Sequence, residues 1–308
     1  MKSKQALQSE IKRNKRAVLL VNAQSRKGMA LFERARILLE EKGVTLTASY
    51  AVRNGRELAA TIPMVMATKP TLLILGSGDG TVSEIVDHLA YSDTVLGLLP
   101  LGTTNNFARS LDLPIGLSEA VDTIVGGKVV DIDLGKANDD YFANVLSIGV
   151  SVNVATDVSS KLKRRYGRLA YVLTGIKALA VHRPFKVDLD DGHNQRSFVT
   201  HQVVVANGRF HGGTLIALDA SIDNGELVVF HLGASSRLQL VSSMAGFAFG
   251  RKRTLSDDNF LTTNSVTIQT RPVRKVEIDG EVKMTTPIAV SVATDALKIM
   301  VPKSFIDS

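Results

Sequence analysis

The 308-residue sequence has no cysteine, no tryptophan, only 5% aromatic residues and no long apolar run. Without thiols there can be neither disulfides nor thiolate metal centres, and the composition suits a reducing compartment. A helix that crosses a bilayer needs about 18 or more consecutive apolar residues, so no membrane span is expected. The amino-terminal cations Lys2, Lys4, Lys12, Arg13, Lys15 and Arg16 lead into an apolar run of only Ala17 to Val21. That run is too short for a signal-peptide core, and a cytoplasmic location is expected. With few aromatics and none interleaved with basic residues, the chain has little to stack bases on, which argues against nucleic acid as a partner. The net charge of +7 points instead to an anionic surface, and peripheral attachment to an anionic membrane is expected. A hydrophobic content of 44% and a charged content of 22% are those of a soluble globular protein, here long enough for two domains. Nothing in the sequence sets the oligomeric state.

What is present is concentrated in one stretch. Leu72-Leu73-Ile74-Leu75 reads as a strand buried on both faces, and Gly76-Ser77-Gly78-Asp79-Gly80-Thr81 follows it. Three glycines in five residues let the backbone turn sharply and approach a ligand closely. Thr81 and Glu84 stand in the Thr-x-x-Glu relation of a capping box, which predicts a helix starting at Val82 with Ser83 in its first turn. Amides at such a helix start bind phosphate. Asp79 is out of place in that company unless a metal or a proton transfer makes use of it. A second loop, Pro100-Leu101-Gly102-Thr103-Thr104-Asn105-Asn106-Phe107-Ala108-Arg109, follows the apolar run Val95 to Leu99 and again opens a helix. Two such loops one βα unit apart belong side by side at the carboxyl ends of parallel strands.

Together the loops resemble the catalytic domain of the diacylglycerol kinase and sphingosine kinase family, with its Gly-Gly-Asp-Gly-Thr and Pro-x-Gly-Thr-x-Asn-Asp-Phe-Ala-Arg motifs. Ser77 replaces the first glycine, as in the sphingosine kinase branch, and Asn106 stands where aspartate is usual. A third match is Asn22-Ala23-Gln24-Ser25-Arg26-Lys27-Gly28, where the family has Asn-Pro-x-Ser-Gly-x-Gly; Ala23 and Arg26 depart from it. The resemblance implies an ATP site contacted by Asn22, Ser25, Gly78, Asp79, Gly80, Thr81, Val82, Ser83, Glu84, Gly102 and Thr103.

The alternation of strands and helices up to residue 128 predicts a doubly wound parallel α/β nucleotide-binding domain over 17–128, behind a mobile basic arm over 1–16. From Lys128 the texture changes to short strands, which predicts a β-sandwich over 129–299, with a tail from about 300 packing back on the first domain. Pro63 is expected to kink or shorten the helix it lies in. Two helical stretches interrupt the second domain. One, over about 157–181, carries Lys161, Lys163, Arg164, Arg165 and Arg168 before Leu169, Tyr171, Val172 and Ile176, a composition suited either to a bilayer interface or to a solvated face. The other covers about 236–248.

In the second domain the resemblance implies that Glu281 of Asp279-Gly280-Glu281 is the general base, with Asp79 as a competing base or metal-bridging acid. It also implies a structural divalent ion, Mg²⁺ or Ca²⁺, near Gly212 to Leu227, at Ser221, Asp223, Asn224 and Glu226. There Asn224 replaces the family's acid and Leu218 its usual proline. The activity implied is transfer of the γ-phosphoryl group of ATP, with Mg²⁺, to a hydroxyl of a diacylglycerol-like membrane lipid in a cleft between the domains. Two alternatives share the fold: an NAD kinase, and a lipid- or nucleotide-binding protein without turnover. The six histidines show no metal-ligand spacing and carry no assigned role.

Overall fold

The computed structural model describes residues 2–150, 152, 183–208, 210–211, 214–215, 221–233 and 260–306. The basic stretch 157–181, the helix expected over 236–248, Gly212, Gly213 and Leu218 lie outside them. The chain divides into two compact units. The first takes Met1–Leu134, Ser221–Gly225 and Ala293–Ser308, and the second takes Gly135–Ala220 and Glu226–Val292.

The first unit is built on parallel strands. These are β1 (Arg16–Asn22), β2 (Thr45–Val52), β3 (Leu72–Ser77) and β4 (Val95–Pro100), in the order β2-β1-β3-β4. The carboxyl-terminal part of β17 (Ile288–Val301) continues this order, with Ile299 paired in parallel to Leu96. Sequence texture follows position: β3 and β4 are buried along their whole length, whereas the edge strand β2 alternates exposed and half-buried residues. Helices α2 (Gly28–Glu41), α3 (Gly55–Ala67), α4 (Asp79–Leu89) and α6 (Leu117–Gly126) connect the strands, with a short α5 (Asn106–Ser110) between β4 and α6. In α2 the residues Phe32, Ala35, Leu38 and Leu39 form one apolar stripe that joins the unit's core. Pro63 neither shortens nor interrupts α3, which runs on to Ala67.

The arm expected to be mobile is a packed helix, α1 (Lys4–Asn14). Ser3 Oγ accepts from the Ala6 amide at its start, and Lys15 in the left-handed conformation closes its end. Leu7 and Ile11, one turn apart, are buried in the same core as α2 and β1. The expected boundaries shift too, because the first unit runs to Leu134 and reclaims the chain at 221–225 and from residue 293. One cause is that β17 is a single strand whose last part, from Ala293, belongs to the first unit.

The second unit is antiparallel. Its strands β7 (Val145–Gly149), β8 (Phe185–Asp190), β9 (Gln195–Ala206), β14 (Ser265–Arg271), β15 (Lys275–Ile278) and β16 (Glu281–Thr285) run in the order β16-β15-β7-β9-β8-β14, ending on the first residues of β17. β12 (Leu227–Gly233) pairs with β9 and β13 (Phe260–Thr263). The residues alternate between two apolar layers. Leu146, Ile148, Val203, Val205, Val276 and Ile278 belong to the larger, and Val145, Val204, Ala206, Val228 and Phe230 to the smaller. β5 (Lys128–Ala137) and β6 (Asp140–Phe142) precede this unit's ladder, and β10 (Phe210–His211) pairs with β11 (Thr214–Leu215).

Candidate active site

β3 and β4 are adjacent parallel strands in register from Leu72–Val95 to Ser77–Pro100, so both glycine loops leave the same edge of the sheet. They touch. A Cβ on Gly78 would lie 3.0 Å from the Gly102 Cα, and one on Gly102 would lie 2.6 Å from the Gly78 Cα and 2.7 Å from the Asn105 Oδ1. Only glycine at both positions permits that approach. The Leu101 amide donates to the Ser77 carbonyl (2.9 Å), and the Asn105 side chain holds the second loop by accepting from the Gly102 amide (2.9 Å). Asn105 does so from the left-handed conformation, with φ of 48°, which asparagine tolerates well.

Helix α4 begins at Asp79, not at Val82, and its N-cap is Gly78, with no side-chain cap. The expected capping box does not form. Thr81 is the third residue of the helix, and its Oγ1 accepts from Asn22 Nδ2 (2.8 Å), tying the β1 loop to α4. The consequence favours an anionic ligand, because the first amides of α4 are not claimed by a cap. Gly80 is open, with nothing within 4 Å of a Cβ placed on it. Val82 and Ser83 are buried in the helix, and Glu84 is half-buried.

Asp79 also has a definite partner set. Its Oδ2 accepts from the Thr104 hydroxyl (2.8 Å) and its Oδ1 from the Phe107 amide (3.0 Å). The carboxylate therefore caps α5 from the first loop. That resolves the oddity of an acid in a phosphate loop, since the negative charge is directed at the second loop's own donors. Arg109 closes the loop by donating from Nε to the Thr104 carbonyl (2.9 Å). Asn22 Oδ1 accepts from the Gln24 amide (3.2 Å), and a Cβ on Gly28 would lie 2.4 Å from the Ala23 backbone. Ser25, Arg26, Lys27 and Thr103 are exposed on these loops. The structure thus links Asn22, Gly78, Asp79, Thr81 and Gly102 through direct contacts, and places Ser25 and Thr103 on loops that follow β1 and β4.

In the second unit, Asp279 and Gly280 are the two residues between β15 and β16, with φ of 47° and 98°, and Ile278 pairs with Glu281. Both φ values are positive, as a tight type I′ hairpin requires. Asp279 is consumed by structure: its carboxylate accepts from the Ala143 (2.8 Å), Asn144 (3.0 Å) and Val145 (2.9 Å) amides. Glu281, two residues on, is exposed at the start of β16.

The turn over residues 221–226 carries the four residues expected at a structural ion. Asp223 is buried, Asn224 and Glu226 are exposed, and Ser221 is half-buried. The acid that organises this turn is Asp133, absent from the expected set. It accepts from the Gly225 (2.7 Å) and Asp295 (3.0 Å) amides, while its own amide donates to the Ile222 carbonyl (2.9 Å). Among the described residues no three His, Asp or Glu side chains come together as a metal site.

Sequence reasoning also passed over Glu277. It is 5% exposed, its Oε2 has no hydrogen-bond partner among the described residues, and burial, with the Asp279 charge second, pushes its carboxyl up to about 7. The only signal in the sequence was an acid between Val276 and Ile278.

With this geometry in place the comparisons are direct. The family profile described as the diacylglycerol kinase catalytic domain matches residues 16–137, and the one described as the YegS C-terminal NAD kinase beta sandwich-like domain matches residues 144–301. The diacylglycerol kinase of Bacillus subtilis (strain 168) is 33% identical over 218 residues, 68% of this chain and 71% of that protein. The chain belongs to the diacylglycerol kinase family. Membership makes it an enzyme, a lipid kinase. A protein named "Putative lipid kinase" from Staphylococcus carnosus is 29% identical over 232 residues, 74% of this chain and 75% of that protein. The fold is shared with a crystal structure of a diacylglycerol kinase from Bacillus anthracis, at a TM-score of 0.75 and 23% identity over 93% of this chain and 97% of that one. None of the described helices is long and apolar enough to cross a membrane.

Proposed function

We propose that this family member transfers the γ-phosphoryl group of ATP, carried as its Mg²⁺ complex, to a hydroxyl of a membrane lipid of the diacylglycerol type. One observation carries the reading: Gly78 and Gly102 are in backbone contact at the ends of neighbouring parallel strands, beside a helix start that no side chain caps. The phosphates are assigned to the amides of residues 78–84, Gly102 and Thr103, with Asn22 and Ser25 flanking them. The Mg²⁺ is assigned to the nucleotide, where it offsets phosphate charge.

Asp79 is given a positioning role, because both of its oxygens already accept hydrogen bonds. Glu281 is left as the general base. It takes the proton of the lipid hydroxyl as that oxygen attacks the γ-phosphorus; the bond to the β–γ bridging oxygen breaks, and ADP leaves. Attachment to an anionic bilayer is assigned to exposed cations such as Lys12, Arg13, Lys15 and Arg16, and vesicle binding should then weaken steeply with salt.

The test is a single turnover with γ-labelled ATP, mixed lipid vesicles and, in parallel, NAD. Label in a lipid supports the proposal. Labelled NADP would move the assignment to the dinucleotide, and ATP bound without transfer would remove catalysis altogether.

A further inference from the structure

One end of the second unit, where β8 begins and β14 finishes, combines exposed apolar residues with cations. Arg271 on β14, Lys186 on β8 and Val199 on β9 are successive cross-strand partners, so their side chains share one face of the sheet. All three are exposed, Val199 at 49%. The residues after Arg271, Pro272-Val273-Arg274, turn the chain from β14 into β15, and Val273 is 63% exposed. This turn is joined to the start of β8, because Arg274 Nη2 donates to the Arg183 carbonyl (3.2 Å) ahead of the exposed Pro184. A lone exposed valine is ordinary, but apolar residues grouped inside a charged rim mark an interaction surface.

The turn is held from inside. The Thr270 hydroxyl donates to the Pro272 carbonyl (2.9 Å), the Arg274 amide donates to Thr286 Oγ1 (3.0 Å), and the Thr286 amide donates to the Arg274 carbonyl (2.9 Å). The Arg274 guanidinium lies over the Phe185 ring at 4.8 Å. Its backbone polar groups are thus met by the protein, while the Val273 side chain is left in water. Arg183, Lys186, Arg271, Arg274 and Lys275 border the apolar residues. Asp188 offsets part of their charge, at 3.5 Å from Lys186 and 3.4 Å from Arg271, and Glu277, two residues beyond Lys275, is buried. Aliphatic surface inside such a rim fits an anionic bilayer, where cations meet headgroup phosphates and valines meet the edge of the acyl region. A nucleic acid fits less well, since the Phe185 ring, 2% exposed beneath Arg274, offers a base no face to stack on.

We propose that this end of the second unit, with Val273 at its tip, docks on an anionic bilayer by charge and shallow insertion together. The proposal rests on the lipid kinase reading, which it deepens by giving the second unit a bilayer contact of its own beside the first-unit cations.

The chain has no tryptophan, so V273W gives an unmixed fluorescence signal. On phosphatidylglycerol vesicles its emission should shift to shorter wavelength and be quenched by brominated acyl chains, and on phosphatidylcholine vesicles it should not move. Sedimentation with the same vesicles compares wild type, R271Q/K275Q and V273S, each checked by thermal unfolding, with K275Q alone as the milder variant. A cation near an anionic surface is worth about fivefold, so R271Q/K275Q should bind roughly twentyfold more weakly at low salt. V273S should weaken binding severalfold at high salt as well, where charge is screened. Wild type that binds no vesicles, binding unchanged in both charge variants, or V273W emission that stays put on vesicles that hold the protein overturns the proposal. A shift that grows with protein concentration without vesicles gives the surface to a second copy of the chain and overturns it too. No ATP is present, so these results stand whether or not the single-turnover assay labels a lipid.

Discussion

The two units treat their acids in opposite ways. In the first, Asp79 meets a hydroxyl and an amide, and Asp133 meets two amides. In the second, Asp279 gathers three amides, yet two residues earlier Glu277 is buried with an oxygen that no hydrogen bond meets among the described residues. A carboxylate saturated by backbone donors is fixed in charge and position, and serves to hold loops. A buried one without donors is held near its titration point and stays available to a ligand.

That contrast can be broken or sharpened by substitution. The largest effect is expected at the exposed Glu281, where E281Q should lower turnover by about two or more powers of ten with ATP binding near normal; unchanged turnover in a steady-state assay would return the base to the other acids. Next comes the stability of the second unit. The folded-state pKa of Glu277 is raised from 4.5 to about 7, so the folded protein favours the protonated acid. Its contribution is intact below pH 4.5 and is lost as pH rises to about 7, by up to about 3 kcal/mol. E277Q escapes that loss, and its melting temperature should exceed that of wild type by more at pH 8 than at pH 5. In the first unit, G102A places a methyl group against the Gly78 backbone and Asn105 and should raise the KM for ATP about tenfold, whereas G55A, with nothing near its Cβ, should leave it unchanged. The smallest change is T104V, which removes one of two donors to Asp79 and should lower stability by about 1 kcal/mol in chemical denaturation.

Much of the first unit was legible in the chain. The continuous apolar runs of β3 and β4 and the glycine spacing gave the parallel sheet and the adjacent loops, because buried strands and tight turns depend on local sequence. Contacts made across the fold were not legible. Thr81 and Glu84 have the spacing of a capping box, but a tertiary partner, Asn22, takes Thr81, and Gly78 starts the helix. The first sixteen residues look like a charged tail, and only Leu7 and Ile11, four apart, betray a docked helix. In β17, Thr294-Asp295 resembles a turn, and Asp295 does adopt a positive φ of 52°, but Asp133 holds its amide and the strand continues. Glu277 was passed over, because alternation along a strand does not reveal whether a second layer covers the outer face. The match of Asp279-Gly280-Glu281 to the family was visible, while the three amides that hold the Asp279 carboxylate were not.

The path of β17 has a consequence for synthesis. Strand β4 lies between β3 and a segment made some two hundred residues later, so the first unit, although it holds the amino terminus, stays incomplete until almost the whole chain has left the ribosome. A cut after Leu134 would strip β4 of its partner along one side and deprive Asp133 of both amides it holds. Neither unit can be excised as one continuous piece of gene, and fragments of the first unit that end before β17 should be insoluble.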